Sequence, residues 1–166
     1  MAVGVSSRGR GSASGKKRRT PPEVLGWREW ASLPDLGVDA IKVKLDTGAR
    51  TSSLHAFDLT HFERSGHRMV RFEVHPVQRS AEDAVLVEAL VVDERWVRNS
   101  GGGRELRPVI ETTVRIGGRA WPIELTLTRR DEMGFRMLLG RQALKRKALV
   151  DPGRSFRAGH INERAS

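Results

Sequence analysis

No cysteine occurs among the 166 residues, which excludes disulfides and thiol chemistry and suits a reducing cytoplasm, the expected location. No apolar run approaches the ~20 residues needed to span a bilayer, so no membrane partner is expected. The first residues carry charge without an apolar stretch, which argues against a secretory signal. Metal and nucleotide signatures are missing as well: there is no His-Glu-x-x-His, no paired cysteine and no Gly-x-x-x-x-Gly-Lys-Ser/Thr phosphate loop. His55, His61, His67 and His75 succeed one another at offsets of six and eight residues, which match no standard zinc spacing. The residues therefore assign no cofactor and no metal ligand. An internal repeat is also absent.

Charge is plentiful but uneven. The net charge is +10, and residues 1–22 hold Arg8, Arg10, Lys16, Lys17, Arg18 and Arg19 with no acid, so the remainder nets +4. Ser, Gly and basic residues dominate this stretch, which predicts a disordered basic tail over 1–22. Such a tail is either a solvated arm or a contact for nucleic acid, a ribosome or anionic lipid. A single domain is expected over 23–152, with a flexible C-terminal tail over 153–166.

Within that domain the apolar spacing is mostly that of strands. Ile41, Val43 and Leu45 alternate with Lys42, Lys44 and Asp46, and Val70, Phe72 and Val74 share another face. Residues 84–92 form a more continuous apolar run that reads as a buried strand. Ile110, Thr112, Val114 and Ile116, then Gly117-Gly118, then Trp121, Ile123, Leu125 and Leu127 make the clearest hairpin. Trp27 and Trp30 cap the core or enter a dimer contact. A short helix is expected over 141–147. This pattern predicts a mainly β chain, a small closed or partly open barrel with one short C-terminal helix.

One segment carries candidate chemistry. The strand of residues 41–45 runs into Asp46-Thr47-Gly48-Ala49, placing a carboxylate at a tight turn. Thr47 offers a hydroxyl, and Gly48 permits close approach of another backbone or a substrate. Alone, Asp-Thr-Gly also marks ordinary turns. A second segment, Met137-Leu138-Leu139-Gly140-Arg141-Gln142-Ala143-Leu144, comes later in the order that gives the first its meaning.

With both segments present, roughly residues 27–151 resemble the retropepsin-like aspartic peptidases. The match is nearest to a bacterial branch labelled ATP-dependent zinc proteases and associated with ATP-grasp ligases of the RimK type. The resemblance implies an acid-protease barrel, with Asp46 catalytic, Thr47 and Gly48 supporting the turn, and Leu138, Leu139, Gly140 and Arg141 packed beneath it. It implies substrate contacts at Ala49 and Arg50 and a glycine-rich flap over residues 96–107, tipped by Gly101, Gly102 and Gly103; a plain surface loop is the alternative. Efficient hydrolysis wants two carboxylates sharing one proton. The chain has one Asp-Thr-Gly, so the enzyme must be a homodimer with Asp46 paired across a two-fold axis. The implied substrate is a peptide or protein, including glutamate tails of the kind such ligases add.

One departure from the family pattern stands out. Retroviral enzymes place an acid after Asp-Thr-Gly-Ala to pair with the later Arg, whereas this chain has Arg50 and Arg141. Either Asp131 or Glu132 bridges them, or they diverge to separate partners, and an arginine there also suits an anionic substrate. Two other classes stay open: a non-catalytic module that binds peptide or ribosome, and a zinc-dependent protease using Asp46 and histidines.

Overall fold

Alternation decides which face each strand buries in the computed structural model, which describes residues 18–77, 81–99, 101–129 and 134–159. Strand β1 (Glu23–Leu33) leads through a 3-10 turn (Pro34–Leu36) to β2 (Val38–Leu45) and then β3 (Ser53–His55). Then come β4 (Phe57–Arg64), β5 (His67–Val74), β6 (Val85–Leu90), β7 (Asp93–Arg98), β8 (Arg104–Ile116) and β9 (Arg119–Thr128). The chain finishes with β10 (Met137–Leu139), helix α1 (Arg141–Leu144) and β11 (Ala148–Ser155). In β2 the apolar set Ile41, Val43 and Leu45 is buried, and in β5 Val70, Phe72 and Val74 are, as strand periodicity requires.

Eight strands form one sheet in the order β11-β1-β2-β10-β3-β9-β8-β7. Ser32 of β1 also pairs with Arg115 of β8, so the sheet is partly ring-like. The expected hairpin is present, with β8 and β9 paired from Val109↔Thr126 to Ile116↔Arg119 around Gly117-Gly118. Strands β4, β5 and β6 make a separate three-stranded sheet. Among the described residues, no helix is long and apolar enough to cross a membrane.

Three expectations need correction. Residues 84–92 are not a buried strand: β6 is an edge strand, and Leu86 and Leu90 face solvent while Val87 packs inward. The helix stops at Leu144, because Lys145 leaves helical geometry (φ −54°, ψ 123°) and the chain must begin β11 at Ala148, paired in parallel with Glu23. The C-terminal stretch is not a loose tail over 153–159. Strand β11 runs to Ser155 beside β1, so close that a side chain at Gly26 would collide with the Arg154 carbonyl. Residues 1–17 of the expected basic tail and 160–166 lie outside the described residues.

A buried carboxylate holds that closing segment. Glu29 on β1 is fully buried, and its oxygens accept hydrogen bonds from the backbone N–H groups of Gly26 (3.0 Å), Arg157 (2.7 Å) and Ala158 (3.2 Å). Around it, Trp30 stacks on Phe156 at 5.9 Å, and Arg28 lies over both Trp27 and Phe156. Trp30 thus covers the C-terminal segment, while Trp27 meets Phe135 edge-on at 5.9 Å. Glu29→Ala would leave three backbone donors, one buried and two part-buried, without their acceptor, and is expected to cost about 2–3 kcal/mol. Glu29→Gln, which keeps one acceptor oxygen, should cost less. Urea unfolding of the two variants measures this, and an Ala variant as stable as the native chain would contradict it.

Candidate functional site

The candidate site forms where β10 threads between β2 and β3. It pairs in parallel with β2, Leu139 opposite Leu45, and antiparallel with β3, Leu138 opposite Ser53. The Asp46 turn leaves β2 at this seam, and its backbone is tied to the end of β10 and the start of α1. The Asp46 N–H donates to the Leu139 carbonyl at 2.8 Å, and the N–H groups of Arg141 and Gln142 donate to the carbonyls of Ala49 and Arg50 at 2.7 and 3.2 Å. Gly140 sits beneath. A side chain there would lie 2.5 Å from the Thr51 carbonyl oxygen and 2.9 Å from that of Ala49, so the close approach requires glycine. The Gly140 N–H donates to Ser52 Oγ at 3.0 Å. The Ser52 carbonyl in turn accepts from the N–H and hydroxyl of Thr126, each at 3.0 Å.

Asp46 is therefore half-buried on a braced turn. Its Oδ1 accepts the Gly48 N–H at 2.9 Å, and Thr47 and Gly48 are exposed. Arg141 spans the turn from outside, donating through Nη1 to the carbonyls of Thr47 (3.1 Å) and Gly48 (2.9 Å). The two arginines diverge: Arg141 is taken up by these carbonyls, while Arg50 makes no side-chain hydrogen bond or ion pair among the described residues. Asp131 and Glu132, the expected bridging acids, lie outside the described residues.

Beyond the turn, a cleft of about 1360 Å³ is lined by Ala49, Arg50 and Ser52 on one side and by Trp96, Val97 and Arg98 of β7 on another. Asp46 does not line this cleft. Arg50 also lines a groove of about 500 Å³ with Thr47 and Arg141, so it stands between the turn and the larger space. Strands β7 and β8 form a hairpin paired from Asp93↔Val109 to Arg98↔Arg104. Its tip is ordered by Asn99, whose Oδ1 accepts the N–H groups of Gly101 (3.1 Å) and Gly103 (3.0 Å). At its base, Arg95 bridges Glu124 of β9 (2.7 Å) and Asp93 (2.9 Å). Hydrogen bonding to Glu124, then to Asp93, raises the Arg95 pKa. The Glu94 amide, then Arg95, lowers that of Asp93.

The fold thus gathers Asp46, Thr47, Gly48, Ala49, Arg50, Leu138, Leu139, Gly140 and Arg141 at one seam. Gly101, Gly102 and Gly103 stand apart at the hairpin tip and do not line the cleft. Sequence reasoning missed Ser52 and Thr126, whose hydroxyls lock the seam, and Asn99, which organises the tip. Ser52, inside a Thr-Ser-Ser run directly after the turn, was the one with a legible signal. The histidines do not converge on Asp46. His55 and His75 stack on opposite sides of Phe57, at 4.0 and 3.7 Å, His55 lies 3.3 Å from Arg136, and His75 lies 3.0 Å from Glu73. Among the described residues, no three His, Asp or Glu side chains cluster as a metal site.

Comparison with known proteins places this geometry in context. The family model described as RimB-like, "Retropepsin-like aspartic endopeptidase RimB", matches residues 24–160. A "Probable alpha-L-glutamate ligase" of Shewanella halifaxensis is 49% identical over 140 residues, covering 84% of this chain and 31% of that protein. One of the same name from Parasynechococcus marenigrum is 48% identical over 140 residues, covering 84% of this chain and 30% of that protein. The chain therefore spans about 30% of the length of the curated relatives it matches. A crystal structure of a Legionella pneumophila protein of unknown function (DUF785) superposes with a TM-score of 0.65 at 30% identity, covering 82% of this chain and 98% of that one.

The seam generates a direct test. Gly140→Ala must push β10 away from the Thr51 and Ala49 carbonyls, which is expected to destabilise the chain by about 2–3 kcal/mol, as overpacking does. Thermal unfolding measures it, and an unchanged midpoint would contradict the close approach.

Proposed function

Because the chain belongs to the RimB-like family of retropepsin-like aspartic endopeptidases, we propose that it hydrolyses peptide bonds with water activated between two copies of Asp46, one from each chain of a homodimer. The observation that carries this reading is the Asp46 turn itself: a carboxylate fixed by the Gly48 amide at 2.9 Å, on a backbone tied to β10, with Thr47 and Gly48 open to a second copy. The partly ring-like sheet fits a small barrel of the acid-protease type.

Two carboxylates held together cannot both ionise, so the pair shares one proton. The ionised member takes a proton from water as its oxygen attacks the scissile carbonyl carbon. The protonated member gives its proton to the carbonyl oxygen. The carboxyl that took the proton from water then passes it to the amide nitrogen as the C–N bond breaks and the carbonyl re-forms. In this account Arg141 keeps the turn rigid, and the β7–β8 hairpin covers the cleft and limits water.

The proposed substrate is an acidic, glutamyl-rich peptide. Arg50 and Arg98 line the cleft without side-chain partners among the described residues, and guanidinium groups match carboxylates. The ligase relatives are named for joining glutamate, and hydrolysis of a glutamyl amide is the reverse of such joining. A cysteine-free chain of this kind suits the cytoplasm.

The test is mass spectrometry of oligo-glutamyl peptides across pH, with native protein, Asp46→Asn and a chelator control. Cleavage should be lost at least about a thousandfold in the variant, the scale for removing an essential catalytic group, and should survive the chelator. Undiminished cleavage by Asp46→Asn, or its loss to the chelator, would overturn the aspartic mechanism. Binding without cleavage by the native protein would instead favour a non-catalytic peptide-binding module.

A further inference from the structure

The β7–β8 hairpin carries a side-chain pattern that the hydrolytic chemistry leaves unused. Its register sets Trp96 opposite Leu106 and Arg98 opposite Arg104, and directly opposed residues of an antiparallel pair share a face. Alternation along the strands therefore gives one face two adjacent rows, an apolar pair and a cationic pair. The other face anchors the hairpin, through Arg95 to Asp93 and Glu124 and through Arg107 to Glu105 at 3.0 Å.

On the first face little is committed. Trp96 is 61% exposed and Leu106 45%; Trp96 and Arg98 reach the cleft lining, to which the opposite face adds Arg95, Val97 and Arg107, while Leu106 and Arg104 stand outside it. Neither Arg98 nor Arg104 has a side-chain hydrogen bond or ion pair among the described residues. The acid on the same face, Glu94, is already engaged by Arg68 at 3.3 Å. Of the acids lining the cleft, Glu124 is held by Arg95 and Asp35 accepts the Thr113 N–H at 3.0 Å, while Glu111 makes no side-chain hydrogen bond or ion pair among the described residues. An ordered ring and an aliphatic side chain left in water, one row from two uncommitted guanidinium groups, match a ligand with a short hydrocarbon stem ending in a carboxylate.

We infer that this hairpin face is the specificity surface for glutamyl side chains, with the two methylenes of each stem lying on Trp96 and Leu106 and the carboxylate meeting Arg98 and Arg104. The inference rests on the acidic-peptide reading above and assigns the residues that select the side chain. Aspartate, one methylene shorter, cannot place its stem on the ring and its charge between the arginines together. Glutamine keeps the stem and loses the charge.

The experiment measures binding rather than cleavage, by fluorescence anisotropy of labelled oligo-glutamate, oligo-aspartate and oligo-glutamine on Asp46→Asn protein. Oligo-glutamate should bind on the order of tenfold more tightly than oligo-aspartate, the discrimination one methylene supports. Adding Arg98→Gln should weaken oligo-glutamate binding and leave oligo-glutamine unchanged, with partial recovery in Arg98→Lys. Adding Trp96→Ala should collapse the glutamate-over-aspartate preference, while Trp96→Phe should keep much of it. Equal affinity for the two acidic peptides, or a preference untouched by both Trp96→Ala and Arg98→Gln, would overturn the inference. Because Asp46 is already replaced, this pattern can hold when native protein does not cleave, which counts against the hydrolytic reading alone. Cleavage by native protein without the pattern counts against the inference alone.

Discussion

Everything at the candidate site depends on one close approach, that of Gly140 to the carbonyls of Thr51 and Ala49. It lets β10 lie between β2 and β3, strands that would otherwise be separated by the turn they enclose. Once β10 is there, the Leu139 carbonyl, the amides of Arg141 and Gln142, and the Ser52 hydroxyl all find partners on or beside that turn. The turn is rigid because its own polar backbone is shared with a distant segment, and a buried backbone group left unshared would carry the full cost of desolvation. Arg141 completes the same logic from the solvent side, where its guanidinium meets two turn carbonyls instead of an acid.

The seam also sets where the cleft lies. Ala49 and Arg50 leave the turn toward the cleft, and the far side is supplied by β7. Strand β8 is long enough to serve two structures: its second half pairs with β9, and its first half carries β7. The hairpin is thus anchored in the main sheet through Arg95 while its tip stands clear of the cleft lining. At the opposite end of the sheet, Glu29 gathers the C-terminal segment against β1, so that the large sheet is finished by strands from both ends of the domain.

Much of this was legible in the sequence where the controlling interactions are local. The alternation in β2, β5, β8 and β9 fixes their buried faces, Gly117-Gly118 marks a two-residue turn, and the Asp46 turn comes directly after its strand. The features that could not be read arise from contacts between distant segments. Nothing in residues 84–92 says that only one face of β6 will meet the core. Helix propensity over 141–147 gives no warning that β11 must start at Ala148. The polar residues after Pro152 look loose until Glu29, more than a hundred positions earlier, is placed opposite their amides. Arg50 and Arg141 were expected either to share Asp131 or Glu132 or to diverge to separate partners; they diverge, and the carbonyl partners of Arg141 belong to the turn's shape, which no residue type announces.

The proposed chemistry stands or falls on two copies of Asp46 sharing one proton across a dimer. It is tested most directly by mixing native chain with increasing Asp46→Asn chain, allowing subunits to exchange, and measuring cleavage of an oligo-glutamyl peptide per native chain present. A shared dyad predicts that activity per native chain falls in proportion to the native fraction, because only native–native dimers hold both carboxylates. Activity per native chain that stays constant as the variant is added, with exchange verified, would show that each chain works alone and would contradict the account.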